Sequence, residues 1–309
     1  LMLMQEITGS DYFHPIVETR SVDKGLSWSA PVPVPGLGRI PVTATIEEGI
    51  CDVVPQYDPQ TQTILALGAT VLYEGGHLFD SYGDWNPARE RHQRRIAYQI
   101  RNARGQWLPD RKVLRYGLFD NCSGYSCGCA QFLWNTDGTV LIPVTYGVWG
   151  VKNRAVTVLR CRYDGREVTP LGHGTVLELA VGRGLLEPSL VRFGGRILLT
   201  LRAEDGHGHV TTSSDGLAYD AIRPWCWDDG EPIGMSTTQQ RWLAHRDRLY
   251  LVYTRKAEDN QHVMRWRAPL FIAEVDVSAL RLIRASEQVV FARTGTTAAE
   301  AEHLGNFHT

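Results

Sequence analysis

Short apolar runs alternate with polar turn residues along the whole chain, and helical periodicity is nearly absent. Four segments share one arrangement, in which an apolar run, a polar turn and a second apolar run follow one another: residues 52–69, 131–146, 187–202 and 241–255. Two strand-like runs separated by turn residues are typical of a β-hairpin. The pattern therefore predicts an all-β protein whose hairpins recur at intervals of roughly 55 to 80 residues.

Further strands are predicted outside these hairpins. A third apolar run follows each of them, at residues 95–100, 155–160, 209–212 and 270–275. Residues 2–34 supply strands of one additional unit, and another strand is predicted to begin at 303–307. Residues 86–94 form the one stretch for which a surface turn or short helix is predicted.

Residues 21–28 carry the most specific local motif, Ser-x-Asp-x-Gly-x-x-Trp. Asp23 can accept hydrogen bonds from a tight turn, Gly25 can supply a positive φ, and Trp28 opens the next strand. The motif resembles the Asp-box of sialidase-like β-propellers, which joins the two outer strands of a blade. Residues 213–219 resemble a second, degenerate copy. The resemblance implies a single β-propeller domain over residues 1–309, with six blades, alternatively seven, and an incomplete terminal blade.

Composition narrows the classes of partner and cofactor. The chain has 309 residues and a formal net charge of -2, with acidic and basic residues mixed. This balance argues against a nucleic-acid partner, and no apolar run is long enough for membrane insertion. Three clustered cysteines, Cys122, Cys127 and Cys129, invite a zinc site, but a loop disulfide or buried thiols explain them more simply, because no further ligands lie at suitable spacing. We therefore expect no metal and no cofactor, while a structural calcium and the oligomeric state stay open.

Polar residues recur at the ends of the predicted inner strands. The first strands begin with acidic or amide side chains: Asp52, Gln131, Glu187 and Gln240. The second strands end with a phenol and two guanidiniums: Tyr146, Arg202 and Arg255. Because the second strand of a hairpin runs back along the first, we expect all these residues at one face of the propeller. A guanidinium binds a carboxylate in a bidentate manner, so the pair of arginines predicts an anionic ligand.

Residues 187–202 are similar to the sialidase blade that carries a catalytic glutamate and one arginine of a triad. The resemblance implies that Glu187 activates a tyrosine nucleophile, that Arg202 binds the substrate carboxylate, and that Arg255 is the next arginine. It also implies secretion or a periplasmic location. The predicted function is cleavage of a terminal acidic sugar, with an acidic oligosaccharide or polysaccharide as partner.

Other residues widen the predicted site and leave alternatives open. A polar loop supplies candidate sugar-binding side chains: Asn260, His262, Arg265 and Arg267. His207 and His209 form a candidate proton-transfer pair. Together with Tyr146 they would serve the alternative function, a polysaccharide lyase that needs a His or Tyr base beside arginine. A non-catalytic glycan-binding propeller is a third possibility. Ala69 stands where other hairpins carry arginine, and we note it as a possibly substituted site position.

Overall fold

The computed structural model describes residues 1–8, 11–79, 92–235, 238–307 and 309. Within these residues the regular structure is β-strand apart from three short 3₁₀ turns. The strands form five consecutive sheets, which we name blades 1 to 5, and one two-stranded ribbon. Neighbouring strands within each blade are antiparallel, as expected for sheets built from hairpins.

Blades 1 and 2 occupy the first third of the chain. Blade 1 and the ribbon use five short strands: β1 (Met2–Met4), β2 (Ile7–Thr8), β3 (Tyr12–Phe13), β4 (Val17–Thr19) and β5 (Val32–Pro33). Blade 1 has the order β1-β4-β5, and β2 pairs with β3. Blade 2 has six strands: β6 (Ile40–Pro41), β7 (Ile46–Asp58), β8 (Thr63–Glu74), β9 (His77–Leu78), β10 (Ile96–Arg101) and β11 (Lys112–Val113). Its order is β11-β10-β8-β7-β6, with β9 also on β8.

Blades 3 and 4 repeat the four-strand meander. Blade 3 follows a 3₁₀ turn at Gly117–Phe119 and has five strands: β12 (Cys122–Ser126), β13 (Leu133–Trp134), β14 (Thr139–Val148), β15 (Ala155–Tyr163) and β16 (Val168–His173). The order is β12-β14-β15-β16, and β13 extends the inner edge along β14. Blade 4 has four strands in chain order: β17 (Leu186–Phe193), β18 (Arg196–Arg202), β19 (Gly208–Ser213) and β20 (Arg223–Pro224).

Blade 5 completes the described sheets. Its strands are β21 (Arg241–His245), β22 (Arg248–Tyr253), β23 (Leu270–Asp276), β24 (Arg281–Leu282) and β25 (Gln288–Phe291). The order is β21-β22-β23-β24, and β25 also pairs with β23. The other two 3₁₀ turns are Met264–Trp266 and Arg284–Ser286.

The core lies between successive blades, so both faces of each central strand are buried. In β18, Leu199 packs in a cluster shared with blade 3, whereas Leu198 packs in a cluster shared with blade 5. Successive side chains of a strand point to opposite faces, which explains why the strand is apolar at consecutive positions. Face-to-face packing of radially repeated sheets is the architecture of a β-propeller. The predicted all-β propeller is confirmed with five blades, and six versus seven blades stays a prediction.

The turn at residues 21–28 is organised by the carboxylate of Asp23. Asp23 Oδ1 accepts a hydrogen bond from Ser21 Oγ at 2.7 Å and from the Ser27 backbone N–H at 2.9 Å. Gly25 has a φ of 90°, and Trp28 Nε1 donates to its carbonyl at 3.0 Å. Hydrogen bonds from Ser27, followed by that from Ser21, lower the pKa of Asp23 to about 2. The exposed turn is therefore stabilised by the charged form of one aspartate.

Two local predictions differ from the structure or lie outside it. Residues 303–307 were expected to begin a strand, but they have no regular secondary structure. Their backbone makes isolated contacts instead: the Leu304 N–H donates to the Arg267 carbonyl at 2.7 Å, and Arg241 Nε donates to the Phe307 carbonyl at 3.0 Å. The turn or short helix predicted for 86–94 falls largely on residues 86–91, which lie outside the described part.

The cysteines, the metal-ligating side chains and the helical elements bear on disulfides, metal sites and membrane spans. All six cysteines carry free thiols, and five of them are buried. No cluster of three or more metal-ligating side chains occurs among the residues that the structure describes. None of the helical elements in this part of the chain is long and apolar enough to cross a membrane.

Candidate functional site

Two acidic residues occupy the same unusual backbone position in different blades. The register between β7 and β8 shifts between Cys51 and Val54, and Asp52 lies in this shift with a φ of 55°. Glu187 lies in the corresponding shift between β17 and β18, with a φ of 43°. A β-bulge breaks the regular alternation of side chains and re-aims the extra residue. Each bulge therefore turns a carboxyl group away from the direction that strand alternation would give it.

Arg202 holds Glu187 from the adjacent strand. Arg202 Nη1 donates to Glu187 Oε1 at 2.5 Å, and the Arg202 side chain is only 5% exposed. The second oxygen, Glu187 Oε2, is buried and accepts no hydrogen bond from any described group. Leaving such an atom without a partner costs roughly 1–3 kcal/mol. One carboxylate oxygen is thus fixed by arginine, and the other is a buried acceptor without a partner among the described groups.

Asp52 is a second carboxyl group in the same electrostatic environment. Burial raises the pKa of Asp52, and the negative charge of Glu187 raises it further. Hydrogen bonds from the thiols of Cys129 and Cys51 oppose this rise in part. Asn306 Nδ2 donates to Asp52 Oδ1 at 2.8 Å. A carboxyl group with a raised pKa keeps its proton to higher pH and can then donate a hydrogen bond.

Three arginines supply positive charge around these carboxyls. Arg267 is half-buried, and its Nε has no hydrogen-bond partner among the described groups. Burial lowers the pKa of Arg267, the charge of Arg202 lowers it further, and the charge of Glu187 opposes both. The guanidinium of Arg94 in turn lowers the pKa of Asp52. The site therefore combines two carboxyls with Arg94, Arg202 and Arg267, a composition suited to an anionic ligand.

Comparison with known proteins addresses the architecture. No family model and no curated protein matches the chain. A Hadza microbial sialidase matches with a TM-score of 0.59 at 13% identity, over 87% of this chain and 51% of that one. A Trypanosoma rangeli sialidase matches with a TM-score of 0.61 at 13% identity, over 91% and 44%. A protein of unknown function from Dyadobacter fermentans matches with a TM-score of 0.59 at 14% identity, over 91% and 73%.

These matches agree with the blades described above. The chain has a sialidase-like β-propeller fold. It spans about half the length of the sialidases that it matches. Identities of 13% to 14% establish the architecture alone, so any activity must be argued from the site itself.

Arg255 does not join this site in the sialidase-like propeller. Its Nε and Nη2 donate to the two carboxylate oxygens of Glu287 at 2.8 and 2.6 Å. Tyr253 Oη donates to the same carboxylate at 2.6 Å, and the guanidinium lies 4.6 Å from the ring centroid of Phe271. Arg255 also forms an isolated β-bridge with Met235, so its contacts come from blade 5 and from the segments next to it. Arg255 is therefore paired with Glu287 within the protein. We consider Arg267 in its place as the second arginine that could bind a carboxylate.

Tyr146 and Arg255 do not occupy the strand position of Arg202. Counted from the turn, Arg202 is the seventh residue of its second strand and Tyr146 is the eighth, whereas Arg255 lies two residues beyond the end of β22. Adjacent positions point to opposite faces of a sheet. Tyr146 accordingly packs against the core shared by blades 2 and 3, with its ring 5.4 Å from that of Phe119. Burial raises the pKa of Tyr146, so less of the phenolate that could act as a base is present.

Ala69 is the seventh residue of β8 and is in register with Arg202. It pairs with Cys51, just as Arg202 pairs with Leu186. Ala69 is only 2% exposed and packs with Phe13 and other apolar side chains. These surroundings account for an alanine at this position.

The two predicted glutamines are engaged by the protein itself. Gln131 Oε1 accepts from Ser189 Oγ at 2.9 Å and from the Trp242 backbone N–H at 2.7 Å. Its Nε2 donates to the Trp242 carbonyl at 2.9 Å and to Thr309 Oγ1 at 3.1 Å. Gln240 is 2% exposed and accepts a hydrogen bond from Thr200 Oγ1. Gln131 therefore links the inner strands of three blades, whereas the buried Nε2 of Gln240 has no hydrogen-bond partner among the described groups.

The two histidines lie in and after the loop that follows Arg202. His209 is 5% exposed, and its Nε2 lies 2.8 Å from Asp205 Oδ2. His207 Nδ1 lies 2.9 Å from the Ile233 carbonyl. Both rings are therefore oriented by the protein, and His209 has a carboxylate partner as a proton-transfer residue would.

The four residues of the predicted sugar-binding loop have different surroundings in the structure. Asn260 is fully buried, and its Nδ2 donates to the carbonyls of Arg255 and Ala268 at 2.8 and 3.0 Å. His262 Nε2 lies 3.3 Å from Arg293 Nη1, and Arg265 lies in a 3₁₀ turn with a φ of 53°. Asn260 thus fixes the loop and has no exposed amide for a sugar. The electrostatic neighbours of Arg267 include Glu187.

Three residues of the site had not been predicted as members of it: Arg94, Cys129 and Asn306. Arg94 lies two residues before β10, and an arginine next to a strand end was the available signal. Cys129 has a φ of 57° in the break between β12 and β13, both of which pair with β14, and Asp52 and Glu187 lie at comparable breaks in register in their blades. Asn306 comes from a segment that had been assigned to a strand, so nothing in its local pattern indicated a contact with Asp52.

Proposed function

We propose that this chain is a glycan-cleaving enzyme that removes a terminal acidic sugar, in the manner of an exo-glycosidase. The observation that carries the proposal is the Glu187–Arg202 pair, in which one carboxylate oxygen is held at 2.5 Å and the other is buried without a partner. The sialidases with the same fold add support, since the T. rangeli sialidase has been solved in complex with sialic acid. An acidic oligosaccharide or polysaccharide is accordingly the proposed partner.

The proposed roles follow from charge and hydrogen-bonding capacity. Arg202 and Arg267 bind the carboxylate of the sugar, because each presents a planar fork of donors. Glu187 Oε2 takes a proton from the attacking hydroxyl, since a positioned carboxylate can act as a general base. Asp52 bonds a sugar hydroxyl as donor or acceptor, according to its protonation. Positioned charges of this kind act mainly by stabilising the charge that develops in the transition state.

The identity of the nucleophile is a separate question. Tyr253 and Glu287 form a tyrosine–carboxylate pair at 2.6 Å, which is the type of pair that the sialidase resemblance requires. Tyr253 is fully buried, however, and burial raises its pKa strongly. We therefore assign this pair a structural role and propose that the hydroxyl activated by Glu187 comes from elsewhere in the site or from water.

The test is incubation with a panel of sialosides and uronate-capped glycans, with products separated by mass. A product heavier by one water is expected, and Glu187→Gln should lower its rate at least 100-fold, within the range of roughly 10²–10⁴ for general-base catalysis. Glu274→Gln is the matched control, because Glu274 also pairs with an arginine, Arg248 Nη1 at 2.9 Å. Equal rates for both variants would refute the role of Glu187.

A polysaccharide lyase is the second candidate, and the Asp205–His209 contact at 2.8 Å is the observation that favours it. A His base beside arginine could remove a proton next to a uronate carboxylate. An unsaturated product without added water, lost in His209→Ala, would establish this function. Binding without any product would establish a glycan-binding propeller.

The proposal includes a ring of six blades. Blade 1 has three strands among the described residues, whereas blades 2 to 5 have four or more. Propellers leave only short, protected sheet edges, so we expect additional strands beside blade 1. An experimental structure with a ring closed by five or by seven blades would contradict this count.

A further inference from the structure

Arg241 is a charged side chain in the inner strand of blade 5, and its exposure is 0%. Arginine is almost never fully buried without a partner of opposite charge. Arg111, whose side chain is 5% exposed, pairs with Glu48 at 2.8 Å. Arg202, whose side chain is also 5% exposed, pairs with Glu187 at 2.5 Å. Arg241 forms no comparable ion pair with any residue that the structure describes.

The hydrogen-bond partners of the Arg241 guanidinium are all neutral. Its Nε donates to the Phe307 carbonyl at 3.0 Å, and its Nη1 donates to Ser189 Oγ at 3.2 Å and to the Gln240 carbonyl at 3.3 Å. Its Nη2 is buried and has no hydrogen-bond partner among the described groups. A buried charge that is neither paired nor fully hydrogen-bonded is strongly unfavourable. An acceptor with a negative charge at Nη2 would remove both deficits.

Space for a small acceptor exists beside residues that Arg241 contacts or influences. Phe307 and Cys129 both line a cavity of about 270 Å³. Phe307 bonds to Arg241 through its carbonyl. Burial and the charge of Asp52 raise the pKa of Cys129, and the charge of Arg241 opposes this rise. A water molecule needs only about 10–15 Å³ of such space, so the neighbourhood of the guanidinium has room for a small ion.

We propose that Arg241 binds a small monovalent inorganic anion such as chloride inside the propeller, with Nη2 as the main donor. The inference is independent of the proposed function, which gives Arg241 no role. A water molecule would accept the hydrogen bond from Nη2 and leave the positive charge uncompensated. A halide ion carries one negative charge and only accepts hydrogen bonds, and a guanidinium only donates them. A larger organic anion is disfavoured, because no part of Arg241 is exposed at the surface.

The first experiment follows thermal unfolding of the full chain in sodium chloride and in sodium methanesulfonate at equal ionic strength, so that general screening is the same. At a chloride concentration about ten times its Kd, we expect Tm to be about 3 °C higher in chloride, because a ligand of the folded state stabilises it by mass action. Arg241→Met removes the charge and the donors, so the difference in Tm between the salts should disappear. Arg248→Met should keep this difference and is the matched control, because Arg248 lies on the neighbouring strand with its side chain 59% exposed.

The second experiment locates the anion in crystals of the protein soaked in bromide, which is identified by its anomalous scattering. Bromide within hydrogen-bond distance of Arg241 Nη2 would support the proposal. The absence of bromide at Arg241 would overturn it, even if Arg241→Met fails to fold, and so would bromide bound only at Arg202 or Arg267. Equal Tm values in the two salts would also overturn the proposal. A chloride effect that Arg241→Met retains would do the same, since the effect would then arise elsewhere in the protein.

Discussion

Glu287→Ala tests whether Arg255 has a structural role instead of a place in the substrate site. The substitution removes the acceptor of both Arg255 donors and of Tyr253 Oη. Breaking a fully buried ion pair costs about 3–5 kcal/mol, and a buried hydroxyl without a partner costs about 1–3 kcal/mol. Because the Arg255 and Glu287 side chains keep 24% and 14% exposure, water recovers part of this cost. We therefore expect a loss of about 3 kcal/mol in the free energy of unfolding.

The measurement is thermal unfolding followed by circular dichroism, alongside glycan binding well below the transition. A loss of this size corresponds to a fall in Tm of roughly 6 to 9 °C for a domain of a few hundred residues. Glu274→Ala is the control, because the Arg248 side chain with which Glu274 pairs is 59% exposed. Such a pair contributes at most about 1 kcal/mol, so Tm should fall by about 2 °C or less. A variant with unchanged Tm and abolished glycan binding would return Arg255 to the substrate site and refute our assignment.

Three further substitutions test other parts of the structure. Gln131→Ala should lower the free energy of unfolding by about 3 kcal/mol in a urea titration, because Ser189 Oγ and the Trp242 backbone lose hydrogen bonds to its side chain. An unchanged free energy of unfolding would contradict a stabilising link between the inner strands. Asp52→Asn should raise Tm at neutral pH, because the raised pKa of Asp52 means that folding penalises its charged form. This gain in Tm should be absent below about pH 4 and should grow as the pH rises through the pKa of Asp52 in the folded protein. A gain in Tm confined to acid pH would contradict a raised pKa for Asp52. Asp23→Ala should lower Tm at pH 6. The difference in Tm should vanish as the pH falls from about 4 to about 2, because the pKa of Asp23 is lowered to about 2. A difference in Tm that does not depend on pH would show that the charged carboxylate does not stabilise the turn.

The fold was predictable because one hairpin pattern recurs and its apolar runs are continuous. In β18 the consecutive residues Ile197, Leu198 and Leu199 are all buried, since the blade has a neighbour on each face. A sheet with one wet face would have alternated between apolar and polar positions. The repeat was therefore sufficient to predict the architecture. The strand predicted at 303–307 was wrong, and the short connections were not predicted.

The site was less predictable because its geometry depends on single-residue shifts. Glu187 and Arg202 were found because both stand next to the same strand pair, whose register the hairpin turn sets. Arg255 and Tyr146 look equivalent to Arg202 in sequence, yet one extra residue after the turn sends Tyr146 to the opposite face, and Arg255 lies beyond the end of its strand. Asn306 reaches Asp52 from a different part of the chain, so local pattern carried no information about it.

A common backbone position ties the site to the repeat that builds the fold. Asp52, Cys129 and Glu187 each have a positive φ at a break in the pairing along the inner edge of a blade, in three successive blades. Residues other than glycine seldom adopt this conformation, so three repeats of it imply that the propeller imposes the bend for its own packing. The Cys129 backbone N–H donates to the Asp52 carbonyl at 2.9 Å, which links two of these bends across a blade interface. The side chain at the bend does not follow the alternation of a regular strand. Its chemical group can therefore differ between blades, from carboxyl to thiol, without a change in the fold.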